Sequence, residues 1–126
     1  MKREWIGMGL LLALLVLGLL TTKRMEHTCG EMAEQFSQAG TLALAEDWEG
    51  ADRLLRQARS RWEESWRLSA ALTDHEPMEE VDSRLEELEV YQKQRDNLAF
   101  AALCAQIASQ IEDMGDAHGL TWWNLL

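Results

Sequence analysis

Between Trp5 and Thr22 the chain has no polar face: WIGMGLLLALLVLGLLTT runs for eighteen residues without a charge. As a helix this stretch rises about 27 Å, close to the roughly 30 Å hydrocarbon core of a bilayer. Trp5 stands at one end, where an indole suits the headgroup region, and Lys23-Arg24 close the other. The pattern predicts a membrane helix over residues 5–22. Lys2-Arg3 form a basic lead, but no small-x-small cleavage pattern precedes Lys23, which favours a retained anchor over a cleaved signal. No Cys follows the apolar run directly, so lipoprotein processing has no acceptor there.

Beyond Thr22 the apolar residues thin to stripes. Met25, Cys29, Met32, Phe36, Ala39 and Ala43 alternate spacings of four and three, which predicts one narrow apolar seam. The membrane helix is therefore expected to continue without a break to about Leu44, although Gly30 and Gly40 each cost about 1 kcal/mol relative to Ala. Asp47 is a candidate N-cap for a second helix, with Glu49 in its first turn. Trp48, Leu55, Ala58, Trp62, Ser65, Ser69 and Leu72 share its expected inner face. Pro77 suits the first turn of a third helix, where its missing N–H has no partner to lose. Val81, Leu85 and Leu88 predict that helix's buried face. The spacing lapses at Gln94–Asn97, which leaves a turn and a polar stretch of continuous helix both open over 77–114. A last stripe, Leu98, Ala102, Ala105, Ala108 and Ile111, is the expected core face of the following helix. Gly115 and Gly119 are expected to end that helix and release TWWNLL.

The fold class expected is all-α: an N-terminal transmembrane helix over residues 1–24, then a small antiparallel helical bundle over residues 25–126. The segment LALAEDWEGADRLLRQA has the small-residue spacing of a tetratricopeptide-type hairpin join, but no 34-residue repeat accompanies it.

Charge narrows the partners. The whole chain carries a net charge of −10, and without its first 22 residues it holds 10 basic against 21 acidic residues. That excludes a nucleic-acid surface and opposes lying flat on anionic lipid. Topology is nearly balanced, because Lys2 and Arg3 are matched by Lys23 and Arg24. The α-amino charge tips the balance towards an extracytoplasmic helical domain. Cys29 and Cys104 are read as small buried apolar side chains rather than a required disulfide.

Catalytic signals are sparse. There is no phosphate loop and no nucleophile elbow. His27 and Cys29 stand two residues apart on a helix, about 200° around it, so they do not form a ligand pair. His75, Glu76, Glu79 and Asp82 are the one acid/base or metal constellation the spacing offers. The plainer reading is a loop histidine with acids stabilising a helix N-terminus. No cofactor is expected.

EDWEGA, the later Trp62, HEPMEEVDSRLEEL and the ending WWNLL carry a resemblance to a family of small bacterial membrane-anchored proteins, known as domain of unknown function 4363. The resemblance covers residues 41–126 and implies a single-pass membrane protein with an extracytoplasmic helical domain. It implies no activity and transfers no catalytic residue. Pro77 departs from the acidic residue usual after the His-Glu pair.

The expected function is a non-catalytic interaction, scaffold or accessory subunit at the extracytoplasmic face of the cell membrane. Its expected partners are the bilayer through residues 5–22 and a membrane or extracytoplasmic protein, with a homo-oligomer also compatible. The alternative is an enzyme or metal-binding domain built on His75, Glu76, Glu79 and Asp82. Trp122, Trp123, Asn124 and Leu125 are expected to act as a latch folded back onto an aromatic face made by Trp48, Trp62 and Trp66, ahead of a plug for a partner.

Overall fold

A computed structural model describes the backbone of residues 2–69 and 76–124, with side chains described except at residues 21, 22, 25, 66–69, 76, 77 and 116–124. Four helices account for it: α1 (Lys2–Leu44), α2 (Trp48–Ser69), α3 (Glu76–Gln94) and α4 (Asn97–Asn124). The 43-residue α1 is unbroken, as the continuous seam predicts. Its first half, Lys2–Leu20, is long and apolar enough to cross a membrane and is almost wholly exposed. Its second half is the spine of a four-helix body. There α1 packs against α4 and α2, and α3 packs against α4.

The seam on α1 is buried where expected: Met32, Phe36, Ala39 and Ala43 are each 1% exposed or less. Ala51, Leu55, Ala58 and Trp62 from α2 join it, as do Met78, Val81, Leu85 and Leu88 from α3. On α4 the inner face matches the expected stripe at Ala108 and Ile111 and departs from it at Leu98, Ala102 and Ala105. Phe100, Leu103, Cys104, Ile107, Ala108 and Ile111 are buried, whereas Leu98 is 73% exposed and Ala102 and Ala105 are also exposed. Two apolar stripes of similar spacing run along this helix. The one carrying Phe100, Leu103 and Ile107 removes far more area from water than the alanine stripe, so it turns inward.

Both hairpins close with the same short turn. Glu46 (φ 63°) and Arg95 (φ 55°) each adopt the left-handed conformation just past a helix end. The amide of the next residue reaches back five positions, Asp47 N to Leu42 O (2.9 Å) and Asp96 N to Tyr91 O (3.1 Å). This is the Schellman arrangement, here without glycine. Asp47 and Asp96 then cap the following helices, accepting from Gly50 N (3.1 Å) and Ala99 N (3.3 Å). The lapse in spacing near residues 95–97 is therefore a turn. The left-handed conformation costs a non-glycine residue about 1–2 kcal/mol. Glu46→Gly should stabilise the body by about 1 kcal/mol in thermal melts, while Arg95→Gly should not, because Arg95 holds contacts described below.

Gly40 allows the closest packing. A Cβ placed there would lie 3.2 Å from both Ala101 Cα and Cys104 Cβ. Backbone limits the relief on one side, so Gly40→Val should cost about 1–3 kcal/mol by prying α1 from α4, measured by denaturant unfolding. Gly30, by contrast, faces open space.

Candidate functional site

Both hairpin turns lie at the same end of the body, opposite the apolar half of α1. Charged and aromatic groups bind the two hairpins together there. Arg95 donates two hydrogen bonds to Asp52, Nη1 to Oδ1 at 3.0 Å and Nη2 to Oδ2 at 3.1 Å, and Gln92 Nε2 adds a third at 2.8 Å. The same guanidinium lies 4.8 Å from the centroid of the Trp48 ring, within cation–π range. Trp48 in turn meets Phe100 edge-on, with centroids 5.1 Å apart. The left-handed backbone at Arg95 is thus held by its own side chain.

Partial burial by itself raises the Asp52 carboxyl, but the hydrogen bonds from Arg95 and Gln92 outweigh it and hold the group below its ordinary value. A carboxylate whose folded pKa is depressed contributes stability that is present above its unfolded value and lost as pH falls through the folded value. The melting temperature should therefore fall on acidification below about pH 4. Asp52→Asn should flatten that part of the profile, measured against wild type in the same detergent. Glu31 adds to the same trend: the hydrogen bond from Arg61 lowers its carboxyl first, with the Arg61 charge and His27 acting in the same direction.

Of the predicted constellation, Glu79 and Asp82 have described side chains. Asp82 accepts the indole Nε1–H of buried Trp62 at 2.8 Å, tying α3 to α2. Glu79 is exposed, and the neighbouring Glu80 accepts from Gln110 Nε2 at 2.8 Å. Arg84 donates to the same Gln110. His75 and the side chain of Glu76 lie outside the described residues. Among the described residues no group of three or more His, Cys, Asp or Glu side chains is placed to hold a metal ion.

The cysteines are not bonded to each other. Cys104 sits beside Gly40 and Cys29 beside Gly115, three turns apart along α1 or roughly 16 Å. A disulfide needs Cα atoms within about 7 Å, so geometry excludes it. Burial pushes the Cys104 thiol up to about 12, which keeps it protonated and inert at neutral pH. Both cysteines are packing residues here, Cys104 fully and Cys29 in part.

The expected helix end at the glycines is absent: α4 runs through Gly115 and Gly119 to Asn124. Gly115 serves close packing instead: a Cβ there would lie 3.0 Å from Cys29 Cβ. Of the expected aromatic face, Trp48 lies at the end of the body with the hairpin turns and the Trp62 indole donates to Asp82, while the side chain of Trp66 lies outside the described residues. The side chains of Trp122, Trp123 and Asn124, and Leu125 entirely, lie outside the described residues.

Two surfaces thus distinguish the molecule: the exposed apolar half of α1 and, far from it, the apolar stripe Leu98, Ala102 and Ala105 on α4. Leu44, 49% exposed, ends α1 at the same end of the body as Leu98. Sequence spacing had marked the α4 stripe but assigned it to the core. The model of a family described as a domain of unknown function (DUF4363) matches residues 19–125, which reaches further towards the N-terminus than the resemblance over 41–126 and takes in the whole four-helix body. Comparison with curated proteins and with solved structures finds no match.

Proposed function

We propose that this chain, which belongs to the family of domain of unknown function 4363, is a single-pass membrane protein whose helical body acts as a non-catalytic scaffold or accessory subunit on the extracytoplasmic side. The observation that carries this reading is the continuity of α1. One helix supplies both the apolar segment Lys2–Leu20 and the seam around which the body is built. A body joined this way has no hinge in α1 between it and the segment that enters the bilayer. Its opposite end, with Leu44 and Leu98, is held about 30 Å out from Lys23 (21 residues of helix to Leu44).

The partner surface in this reading is the stripe Leu98, Ala102 and Ala105. Small side chains let a partner helix approach closely, and Leu98 supplies an apolar anchor. The partner is a protein, because the net charge of the body repels anionic polymers. A photoreactive residue at Ala102 in the full chain, irradiated in native membranes, should give a discrete adduct that Leu98→Glu abolishes without lowering the melting temperature. The same probe at Glu86, on the outer face of α3, should give none. Equal adducts from both positions, or none from Ala102, would contradict the assignment of this face.

A further inference from the structure

Helix α1 carries a second periodic stripe besides its buried seam. In the apolar half, Gly9, Ala13, Val16 and Leu20 alternate spacings of four and three. The same alternation passes without a break through Lys23 and His27 to Gly30, Glu34, Ser37, Thr41 and Leu44. Every one of these positions is exposed, while the seam on the other side of the helix is buried. Helix α2 meets α1 at Leu42 and Glu31, and α4 meets it at Gly40 and Cys29, so both lie off this stripe.

The glycines of α1 fall into two groups. Gly40 is explained by its close approach to α4, but a Cβ placed at Gly9 or Gly30 would meet nothing within 4 Å. A glycine inside a helix costs about 1 kcal/mol relative to Ala, and the described body gives these two no return for it. Both stand on the exposed stripe, three heptads apart. Gly7, also open, lies off the stripe near the start of α1. In lipid, helices associate by close packing rather than by apolarity, and small residues one turn apart permit it. Gly9 and Ala13 are such a pair, and Trp5, Met8, Leu12 and Val16 line the shallow groove around them.

We propose that α1 pairs in parallel with α1 of a second copy along this stripe, inside the bilayer and for about 30 Å beyond it. The proposal rests on the reading of Lys2–Leu20 as a membrane span. A helix that matches the whole stripe must leave the bilayer in the same direction and run on unbroken. A second copy meets both conditions. Copies inserted with one topology are related by a two-fold axis along α1, which sets each stripe residue against its own counterpart. Helices α2, α3 and α4 of each copy then lie away from the contact. A spacing of 3.5 is that of a left-handed coiled pair. Charge is compatible despite the chain's net −10, because α1 carries no charged residue over 5–22 or over 35–45. Lys23 and Glu34 are the charged positions of the stripe, and such positions fix register at some cost in stability. His27 is turned to Glu31 at 2.9 Å.

The test is oxidative cross-linking of the full chain in native membranes, followed by an alkaline carbonate wash. Ser37→Cys places a thiol on the stripe, and Glu86→Cys places one on the outer face of α3. The S37C chain should form a covalent dimer at about twice 14.4 kDa, whereas E86C and wild type should stay monomeric. Adding G9I/A13I to S37C should remove most of that dimer and leave the chain in the washed pellet. Adding G7I, off the stripe, should preserve it. An S37C chain that stays monomeric in the pellet, or links to a protein of another mass, overturns the second copy. A dimer that survives G9I/A13I overturns pairing within the bilayer. Loss of the S37C chain from the pellet would instead sink the span reading, and this proposal with it.

Discussion

Phe36→Ala is expected to destabilise the helical body by about 3–5 kcal/mol, whereas Leu98→Ala should change its stability by less than about 0.5 kcal/mol. Phe36 is fully buried and sits midway along the seam by which α1 meets the rest of the body. Removing its ring deletes apolar contacts and leaves a cavity that three neighbouring helices can close only in part. For a body of about this size the loss corresponds to a melting temperature lower by about 12 °C or more. Leu98 is larger than any other residue of its stripe, yet it is 73% exposed. A stability drop at Leu98 comparable with that at Phe36 would mean that α4 presents its other face to the core. Thermal melts followed by circular dichroism in mild detergent separate the two outcomes.

The second large effect concerns the apolar half of α1. Leu11→Arg with Leu14→Arg should move the chain from the membrane pellet to the soluble fraction. Each arginine near the centre of a spanning helix costs about 2.5–3.5 kcal/mol, so the pair weakens insertion by roughly four to five orders of magnitude. Glu79→Arg with Glu86→Arg places the same number of arginines on exposed positions of α3 and should leave the chain in the pellet. Fractionation of expressing cells measures both. Because the altered segment makes almost no contact with the body, the released chain should keep the helical content of residues 23–124.

These two predictions mark where the sequence was legible. The seam on α1 was readable because its alternatives are poor: no other face between Met25 and Ala43 holds large apolar residues at helical spacing. The cap at Asp47 was readable because an acidic residue stood directly before an amphipathic run. On α4 the signal was ambiguous. Leu98, Ala102 and Ala105 keep perfect spacing, but periodicity weighs a methyl and a phenyl alike, whereas burial rewards area. Volume would have favoured Phe100, Leu103 and Ile107. The turn at Arg95 was left open, beside a continuous polar helix, for a different reason. It lacks the glycine that usually announces a left-handed helix end, and the side chain that supports it bonds Asp52, forty-three residues away in sequence. Asp96 was the available clue, since it repeats the capping role of Asp47.

Glycine misled in the opposite direction at residues 115 and 119. Both were read as helix ends, but Gly115 meets Cys29 closely and the helix continues. A glycine facing a neighbouring helix and a glycine ending its own helix look the same in one sequence. Within the candidate acid cluster, Asp82 is a hydrogen-bond acceptor for Trp62, a role that spacing along α3 does not reveal. Thr121–Asn124 accordingly continue α4 instead of following a glycine break.

The central claim is that the apolar half of α1 is kept and holds the body at a membrane. The most direct measurement is the mass of the chain recovered from native membranes after an alkaline carbonate wash. The prediction is a washed pellet that contains the chain with residues 2–24 still attached, near 14.4 kDa. A chain cut after the apolar segment and recovered in the wash would show that the segment is a removed signal, and would contradict the account.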